Sequence, residues 1–260
     1  MRNQYWMHFD ARGDLLESAR QCEAEVFQRW FGNTRAELDE EYGPYEADSI
    51  FLVIADAGDE VVAAVRLIAP GRSGFKALDD VAQAPWQVDG ARSAAAAGLD
   101  LSTTWEVGTL CVRAGVAGSS RLSLALYHGL MTVAQVNGMS AFIAILDERV
   151  RRLLSSVGIT TRPLPGVRTA PYLGSAHSTP VYSPFAAMLD AQRRDLPDAY
   201  RLVTLGIGLD GIVVPERAAF RRRERELVLD LAALDTLDAD LAALDAGFDL
   251  PDDLSRLSGS

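Results

Sequence analysis

Residues 104–146 combine a strand, a helix and a second strand, and this order constrains the fold more than any other feature. The runs "TWEVGTLCV" (104–112) and "SAFIAIL" (140–146) are short and rich in apolar residues, which favours strands. Between them, "SSRLSLALYHGLMTVAQVNG" (119–138) has the length of a helix, and its Asn-Gly end is a typical stop signal. Two strands joined by a helical crossover pair in parallel. The segment therefore predicts a parallel βαβ unit in an α/β fold.

Antiparallel strands precede this unit in the chain. "QYWMHF" (4–9) predicts a short strand, and residues 14–31 predict an amphipathic helix, because their apolar positions recur at helical spacing behind Asp14 as N-cap. "IFLVIAD" (50–56) and "VVAAVRLIAP" (61–70) flank a turn signal, which predicts a hairpin. The order of elements predicts a mixed sheet, with antiparallel strands first and the parallel crossover after them.

Other segments carry weaker patterns. Residues 32–49 are acidic and rich in turn residues, so we expect a loop there, or a loop with a short helical turn. Residues 71–103 are weakly ordered by pattern, and "GARSAAAAGLD" (90–100) predicts a flexible insert. A loop of this length often borders a binding site. Residues 147–158 predict a helix between an Asp cap and a Gly stop. The remainder to residue 213 predicts short strands in "TRPLPG", "TPVYS" and "YRLVTLGIG", with a helix near 184–195.

Composition and charge argue against several classes of protein. Hydrophobic residues make up 48% of the 260, enough for a sizeable core, and no apolar run approaches the roughly 20 residues that span a bilayer. The N-terminus lacks the apolar segment of a signal peptide, and Cys22 and Cys111 are interpreted as core thiols, so we expect a cytoplasmic protein. The net charge of −11 argues against a nucleic-acid partner. The histidines are scattered and no Cys/His cluster has ligand spacing, so we expect no metal.

Acidic residues are concentrated at the C-terminal end. Residues 226–260 contain nine acids and one base, which accounts for −8 of the total charge of −11. Leucines recur there three or four apart and "LAALD" occurs twice, which predicts a helix. We therefore divide the chain into a domain over 1–213 and an acidic helical extension over 214–260. The helix either packs on its own domain or binds a partner protein through residues 226–250.

The pattern "EYGPYEADSIFLVIADAGDEVVAAVRLIAP…TTWEVGTLCV" resembles the acyl-homoserine-lactone synthases and the long-chain N-acyl amino acid synthases. Both are branches of the GNAT superfamily of N-acyltransferases. The segment "PYLGSAHSTPVY" (171–182) is similar to their late Y-x-G-…-P segment. The resemblance implies a GNAT-like mixed sheet with a V-shaped splay between strands four and five, and with helices on both faces. It also implies amide-forming acyl transfer from a thioester to an amine.

Several positions differ from the lactone-synthase pattern. Glu23 lies where the first helix of that family carries an arginine, counted back from Phe27. The two aspartates that follow this helix in the family correspond to Gly43 and Glu46 here. The W-E-x-S-R strand of the family ends here in Thr109, so its arginine is missing. Because the lost residues belong largely to the S-adenosylmethionine side of that site, we expect acylation of another amine.

Glu106 is the candidate catalytic base. Burial in an apolar strand raises the pKa of a carboxyl group, so Glu106 can take a proton from an amine directly or through water. The alternative is that Glu106 faces solvent on one side of the strand. Arg66, also in an apolar strand, either faces solvent, pairs with Glu106 or grips a substrate carboxylate. Tyr127, Tyr172 and His177 are candidate acids for the departing thiolate, and of these we select Tyr172.

The segment "RAGVAGSS" (113–120) resembles the pyrophosphate-binding turn of the superfamily. Small residues let backbone N–H groups approach phosphate oxygens, and the following helix adds a favourable dipole. The family spacing places a glycine at Val116, whereas Gly118 matches the second glycine, so an ordinary strand–helix turn is the alternative. The resemblance implies that the phosphopantetheine arm of acyl-CoA or acyl carrier protein lies between the strands 104–112 and 140–146. The expected contacts are Leu110, Cys111, Val112, Arg113, Gly115, Gly118, Ser119 and Ser120.

Substrate and carrier contacts follow from the same resemblance. The residues expected at the substrate are Phe27, Trp30, Glu46, Trp105 and Phe142. Lactone synthases use basic residues to dock an acidic acyl carrier protein, and charge complementarity speeds such docking. The arginines expected in this role are Arg121, Arg149, Arg151 and Arg152. A solvated helix face is the alternative.

The residues leave three functions open. The one we favour is an N-acyltransferase that moves a fatty acyl group from acyl carrier protein or coenzyme A to a small-molecule or peptide amine. The second is a homoserine-lactone synthase that consumes S-adenosylmethionine. The third is a non-catalytic scaffold that binds an acyl thioester.

Overall fold

The computed structural model describes residues 4–223 of the chain. The acidic helix predicted over 226–250 lies outside the described residues, as does most of the extension predicted over 214–260.

A mixed sheet organises the described residues. Its strands are β1 Tyr5–Phe9, β2 Ser49–Ala55, β3 Val61–Ile68, β4 Thr104–Val112, β5 Ala141–Asp147, β6 Arg162–Pro163, β7 Ala170–Tyr172, β8 Ser175–Pro184 and β9 Ile212–Val213. Their spatial order is β6-β8-β5-β4-β3-β2-β1-β9, and β7 pairs with β8. The β4–β5 and β1–β9 pairs are parallel, and the remaining described pairs are antiparallel. The predicted hairpin and the predicted parallel βαβ unit are confirmed.

Helices cover both faces of this sheet. They are α1 Asp14–Phe31, α2 Arg35–Tyr42, α3 Lys76–Val81, α4 Gly90–Ala96, α5 Ser119–Val136, α6 Glu148–Ser156, α7 Phe185–Asp195 and the single turn α8 Pro197–Ala199. One face carries α1, which packs on β3 and β4, and the other carries α5, which packs on β2, β3 and β4. The described part of the chain has the GNAT-like mixed α/β architecture that the resemblance implies.

The β2–β3 hairpin forms the centre of the core, because both strands are buried along their whole length. Leu52 and Val65 lie opposite each other in the register and contribute to the core beneath α5. Phe51 and Ala64 point to the other face and contribute to the core beneath α1. Full burial of a side chain such as Leu52 stabilises the fold by about 1.5–3 kcal/mol. A strand covered on both faces needs apolar residues at successive positions, which explains the unbroken run "IFLVIA".

The parallel pair β4–β5 separates soon after it begins. Its ladder joins Thr104–Glu106 to Ala141–Ile143 and then ends, although β4 continues to Val112 and β5 to Asp147. Meanwhile β5 stays paired with β8 along its full length. The two strands therefore part beyond Glu106, and the V-shaped splay is confirmed.

A β-bulge lies at the start of this split. Thr109 pairs with Arg66 and Val107 pairs with Leu67, so Gly108 has no partner on β3. A Cβ atom at Gly108 would lie 2.9 Å from Cε1 of Tyr42, closer than real contacts allow. Glycine at this position therefore lets the tyrosine ring pack directly on the strand.

The expectation of a loop, or of a loop with a short helical turn, over 32–49 understates the helix there, because α2 and a 3₁₀ helix at Gly43–Asp48 occupy most of the segment. Thr34 and Glu37 form a capping box, in which each side chain accepts a hydrogen bond from the other residue's backbone N–H. The helix buries only Leu38 and Tyr42, so its apolar stripe is too short to indicate a helix from the sequence.

Two further expectations are corrected by the structure. The segment 71–103, expected to be weakly ordered with a flexible insert at 90–100, contains α3 and α4. Both helices are short, and α4 is rich in alanine, so neither shows a clear helical period. The strand expected in "YRLVTLGIG" forms helical turns over Tyr200–Thr204, because these residues pack against α5 and α7. The short strands expected in "TRPLPG" and "TPVYS" and the helix near 184–195 are confirmed as β6, β8 and α7.

The last described residues pack on the sheet. Phe220 is fully buried, and its ring centroid lies 6.1 Å from that of Phe9. Arg222 donates a hydrogen bond to the carbonyl oxygen of Pro70 at 2.8 Å and pairs with Asp48 at 3.1 Å. The domain boundary expected near residue 213 stays a prediction. No helix within residues 4–223 is both long enough and apolar enough to cross a membrane.

Candidate functional site

Two cavities meet where β4 and β5 separate. One has a volume of about 40 Å³ and a lining that is almost wholly apolar, with walls from β4, β5, α5, α6 and α7. Phe142, Ala144 and Phe185 belong to these walls. We call this the apolar cavity. Its apolar lining suits a hydrocarbon group.

The second cavity, of about 90 Å³, is mixed in character, and we call it the polar cavity. Its aromatic residues are Phe27, Phe31, Tyr42 and Tyr172, and its polar side chains are Thr109, Asp147, Ser175 and Ser178. Both cavities are lined by Val107, Leu110, Leu146 and Val150. These four residues form a wall that the two cavities share at the split.

Glu106 lies at the last rung of the β4–β5 ladder and is buried, with 3% of its surface exposed. Its Oε2 accepts a hydrogen bond from the backbone N–H of Ala77 at 2.9 Å. Burial raises the pKa of the Glu106 carboxyl group to about 8, and the Ala77 N–H opposes this rise. The residue adjoins the polar cavity through its neighbours Val107 and Gly108 and does not itself line it. The alternative in which Glu106 faces solvent is wrong.

Arg66 is buried with 1% of its surface exposed, and its guanidinium pairs with two glutamates. Its Nη2 and Nε lie 2.6 Å and 3.0 Å from the carboxylate oxygens of Glu23, and its Nη1 lies 3.0 Å from Glu46. The expectations that Arg66 faces solvent or pairs with Glu106 are therefore wrong. The physical reason is the register, because Arg66 lies opposite Thr109 beyond the bulge, where its side chain meets α1.

Glu23 also accepts a hydrogen bond from the hydroxyl group of Thr109. Glu23 and Thr109 are the positions where the lactone-synthase pattern carries arginines. In this chain the two residues bind each other, and Arg66 between them supplies the positive charge. The buried cluster is thus centred on Arg66, and Arg20 adds a partly exposed pair with Glu46.

The ring of Tyr42 separates this cluster from a second one. The Arg66 guanidinium lies 4.6 Å from the centroid of the ring, and Lys76 Nζ lies 5.4 Å from it. The Tyr42 hydroxyl group donates to the carbonyl oxygen of Gly108 at 3.0 Å, and burial raises its pKa well above the usual range. Tyr42 is therefore held protonated against the bulge.

The second cluster surrounds Lys76, which is 2% exposed. Its Nζ lies 2.5 Å from Glu41, 2.7 Å from Asp80 and 3.0 Å from the hydroxyl oxygen of Tyr172. The Tyr172 hydroxyl group donates to Asp80. Burial raises the pKa of Tyr172, so this tyrosine keeps its proton while its ring lines the polar cavity.

The segment 113–120 borders a third cavity, of about 450 Å³, lined partly by Arg113 and Val116. Gly115 and Gly118 have φ angles of +79° and +78°, which favour glycine, and α5 begins at Ser119, beside Ser120. The Arg113 guanidinium pairs with Glu60 and, at 3.0 Å, with Glu25. A phosphate bound here by Arg113 would compete with these carboxylates.

The expected substrate and thioester residues divide into those at the cavities and those away from them. Phe27 lines the polar cavity, Phe142 lines the apolar cavity and Leu110 lines both. Trp105 is buried in the core beneath α5, whereas Trp30 is 60% exposed with Arg29 over its ring. On β4, Cys111 points to α1, with its sulfur 3.8 Å from that of Cys22, and Val112 is half-buried at the core beneath α5.

The four arginines expected at a carrier protein lie on two helices. Arg149 and Arg152 are exposed on α6, and Arg151 pairs with Glu148 at 3.2 Å. Arg121 lies near the start of α5 and donates to the carbonyl oxygen of Asp210 at 2.9 Å. Since Val150 and Leu154 of α6 line the apolar cavity, the exposed arginines of that helix lie on the outside of the same wall.

Sequence reasoning missed Lys76, Glu41 and Asp80, which surround Tyr172. A Lys and an Asp four residues apart are a usable signal only where a helix is expected, and segment 71–103 was expected to be weakly ordered. Across residues 4–223, no group of three or more His, Cys, Asp or Glu side chains is arranged to hold a metal ion.

No protein-family model and no curated protein sequence matches the chain. Solved structures do match its fold. The CoA-dependent acyl-homoserine lactone synthase BjaI, solved with SAM and isopentyl-CoA, is 17% identical, with a TM-score of 0.55 over 84% of this chain and 97% of that one. FeeM, an N-acyl amino acid synthase from uncultured soil microbes, is 12% identical, with a TM-score of 0.54 over 73% and 95%.

A third solved structure, the acyl-homoserine lactone synthase LasI, is 13% identical, with a TM-score of 0.52 over 70% of this chain and 91% of that one. At these identities the likeness establishes the fold. The chain therefore has the GNAT-like fold of these synthases, as the resemblance implied.

Proposed function

We propose that this protein is an N-acyltransferase that moves an acyl group, in particular a fatty acyl group, from a thioester to an amine. The observation that carries the proposal is the junction of the two cavities at the split between β4 and β5. An apolar cavity for an acyl group and a polar cavity for an amine share one wall, and the buried Glu106 immediately precedes Val107 of that wall. A site that joins an acyl chain to an amine needs these three parts side by side.

The split also provides a place for the donor. Beyond Glu106 the edge of β4 that faces β5 has no ladder partner. Backbone N–H and C=O groups along Val107–Val112 can therefore bind the amide groups of a phosphopantetheine arm, as a strand would. The acyl group then lies in the apolar cavity, and the thioester carbon lies near the wall shared by the two cavities.

The reaction forms one bond and breaks one. The neutral amine nitrogen attacks the thioester carbonyl carbon, the C–N bond forms, and the C–S bond breaks. Glu106 takes the proton of the amine through a water molecule, since its raised pKa suits it to act as a base near neutral pH. The thiol must leave with a proton, and Tyr172 is our candidate donor. To act, it must release its hydrogen bond to Asp80, and the positive charge of Lys76 at 3.0 Å favours the tyrosinate against the burial that raises the pKa of Tyr172.

The acceptor is an amine other than S-adenosylmethionine in this proposal. Glu23 and Thr109 replace arginines of the lactone-synthase pattern, and Arg66 is held by Glu23 and Glu46. For the donor, the backbone N–H groups of segment 113–120 at the start of α5 are our candidate contacts for the phosphates of coenzyme A, although Arg113 there is paired with Glu25 and Glu60. Arg149 and Arg152 on α6 suit an acidic acyl carrier protein. The solved synthase BjaI contains isopentyl-CoA, which supports testing coenzyme A thioesters first.

The test is acyl transfer by the purified full-length chain. Acyl-CoA and acyl carrier protein thioesters of several chain lengths are mixed with a panel of amines, thiol release is measured, and new amides are sought by mass spectrometry. We expect amide formation that Glu106→Gln reduces about 100-fold or more, the usual range for a lost general base. Glu40→Gln, the same change at an exposed position of α2, is the matched control. Absence of any amide with every donor would contradict the proposal.

A further inference from the structure

The polar cavity offers negative charge to a ligand and no free positive charge. Asp147 is the one acid in its lining, and no lysine, arginine or histidine among the described residues lines it. The Asp147 carboxylate accepts hydrogen bonds from the backbone N–H of Arg149 at 2.8 Å and from the hydroxyl group of Ser175 at 2.6 Å. A carboxylate has further acceptor positions beyond two, so Asp147 can also receive an ammonium group.

Arg66, the first cation behind the cavity wall, is already matched. Its side chain is 2% exposed and binds the carboxylates of Glu23 and Glu46. A substrate carboxylate could reach Arg66 only by displacing one of these glutamates. A displaced Glu23 would be a buried charge without this partner, which is strongly unfavourable. Glu46 is 39% exposed and also pairs with Arg20, but a carboxylate in its place would meet an arginine that the two bonds to Glu23 already neutralise.

Lys76, the second cation, is matched in the same way. Its side chain is 2% exposed and pairs with Glu41 and Asp80. The hydroxyl group of Tyr172 occupies a further position of its ammonium group at 3.0 Å, between the lysine and the polar cavity. The three N–H groups of Lys76 thus all have partners, and none is left for a substrate carboxylate.

The same cavity suits an ammonium group. Phe27 and Phe31 can present ring faces, which attract cations. The rings of Tyr42 and Tyr172 already have Arg66 or Lys76 beside them. An amine is largely protonated at neutral pH, so it arrives as the cation that the two phenylalanine rings and Asp147 favour. If the amine also carried a carboxylate, that carboxylate would lie near Asp147 with no counter-ion.

We infer that the acceptor is a primary amine or diamine that bears no carboxylate, and not an amino acid. This inference rests on the proposed acyl transfer and narrows its acceptor class. It separates this chain from the solved structure FeeM, which is an N-acyl amino acid synthase.

The test compares acceptors that differ only in their carboxyl group. Tyramine is compared with tyrosine and with tyrosine methyl ester, and cadaverine is compared with lysine, each with the acyl donor that gives the fastest thiol release. We expect kcat/KM for the amines and for the ester to exceed that for the amino acids by about tenfold or more, because a like charge without a counter-ion is strongly disfavoured. The ester separates the effect of charge from that of size.

The outcomes distinguish the two proposals. Amide formation from the amino acids with equal or higher kcat/KM would overturn the acceptor class and leave acyl transfer intact. Absence of amide from every acceptor would overturn acyl transfer, and the acceptor class with it.

A variant tests the role of Asp147. Asp147→Asn keeps the N-cap of α6, since asparagine caps as well as aspartate does. We expect the ratio of kcat/KM for tyramine to that for tyrosine to fall at least threefold, roughly the effect of one partly exposed charge. Asp195→Asn, the same change at an exposed position of α7, should leave the ratio unchanged. An unchanged ratio in Asp147→Asn would contradict the inference.

Discussion

The carboxylate of Glu23 on α1 lies 2.6 Å from the guanidinium of Arg66 on β3, and both side chains are 2% exposed. The two residues are 43 positions apart, and their pairing joins the first helix to the central hairpin. The hydroxyl group of Thr109 adds a hydrogen bond from β4 to the same carboxylate. Three elements around the split are thus held together by one buried charge cluster.

Glu23→Gln should destabilise the fold. The change leaves the buried Arg66 with Glu46 as its remaining partner, and removal of one member of a buried pair costs about 3 kcal/mol or more. Denaturant unfolding measures the free energy. Glu25→Gln on the same helix removes an exposed pair with Arg113 and should cost about 1 kcal/mol at most.

The double variant Glu23→Leu with Arg66→Met should recover most of that loss, because it removes both buried charges and fills similar space. A double variant as unstable as Glu23→Gln alone would show that the pair itself, and not the unpaired charge, accounts for the effect.

The strong periodic patterns predicted the framework of this fold correctly. The strands of the hairpin over 50–70 are buried along their length, and α5 in the βαβ unit over 104–146 buries one face, so their sequences have little freedom and their types are readable. The position of Glu106 at the end of the paired region also follows from these elements, since the family resemblance places the split between β4 and β5.

The charge clusters could not be read from the sequence. Lys76 and Asp80 lie on α3, a helix of six residues that is too short to show an apolar stripe. Their partners Glu41 and Tyr172 lie far away in the chain. The expected pairing of Arg66 with Glu106 failed because a one-residue bulge at Gly108 changed which residues of β4 lie opposite Arg66. A bulge leaves no clear signal in a single sequence beyond a glycine.

Filling the apolar cavity should shorten the acyl chain that the protein accepts. Ala144→Val adds two methyl groups to a wall of the cavity on β5, where a β-branched residue fits the strand. Each CH₂ of the acyl chain that loses its place costs about 0.8 kcal/mol, or about fourfold in kcat/KM. A series of acyl thioesters measures this effect.

Short acyl chains should be affected little by Ala144→Val, so the rates for long and short donors should diverge. Ala186→Val, at an exposed position of α7, should leave the whole series unchanged. Equal losses for all chain lengths in Ala144→Val would place the acyl group elsewhere.

The buried Glu106 should make stability depend on pH. In the unfolded chain its carboxyl group loses a proton near its ordinary pKa of 4.5, whereas burial raises the pKa in the folded chain to about 8. Between these values the unfolded chain binds fewer protons, so the contribution of Glu106 to stability falls as pH rises from about 4.5 to about 8. A shift of this size corresponds to a change on the order of 5 kcal/mol.

Glu106→Gln removes this ionisation and should gain stability relative to the original chain as pH rises from 5 to 8. Urea unfolding at several pH values measures the difference, with Glu40→Gln as the matched exposed change. A difference that stays constant over this range would mean that Glu106 ionises at its ordinary pKa.

The same ionisation should appear in the rate. If Glu106 takes the proton of the amine, kcat/KM rises with pH until the carboxyl group is ionised, with an apparent pKa of about 8. The amine also loses its proton as pH rises, so Glu106→Gln should lower the rate and remove the inflection near 8 while the part of the rise that comes from the amine stays. A profile with the same rise in the variant would assign the base to another group.

Tyr172→Phe should slow acyl transfer in a way that depends on the leaving thiol. The variant lacks the hydroxyl group that lies 3.0 Å from Lys76 Nζ and donates to Asp80, so the thiolate must depart without a proton. With an alkyl thioester we expect kcat to fall about 100-fold, within the range for a lost general acid. An aryl thioester releases a more acidic thiol that needs no proton, so the variant should lose far less rate with that donor. Glu106→Gln should lose the same factor in kcat with both donors, because Glu106 acts on the amine and not on the leaving thiol. If the aryl donor restored kcat in neither variant, or in both variants, Tyr172 would not be the acid. Its bonds to Lys76 and Asp80 would then serve only to hold α3 against β7.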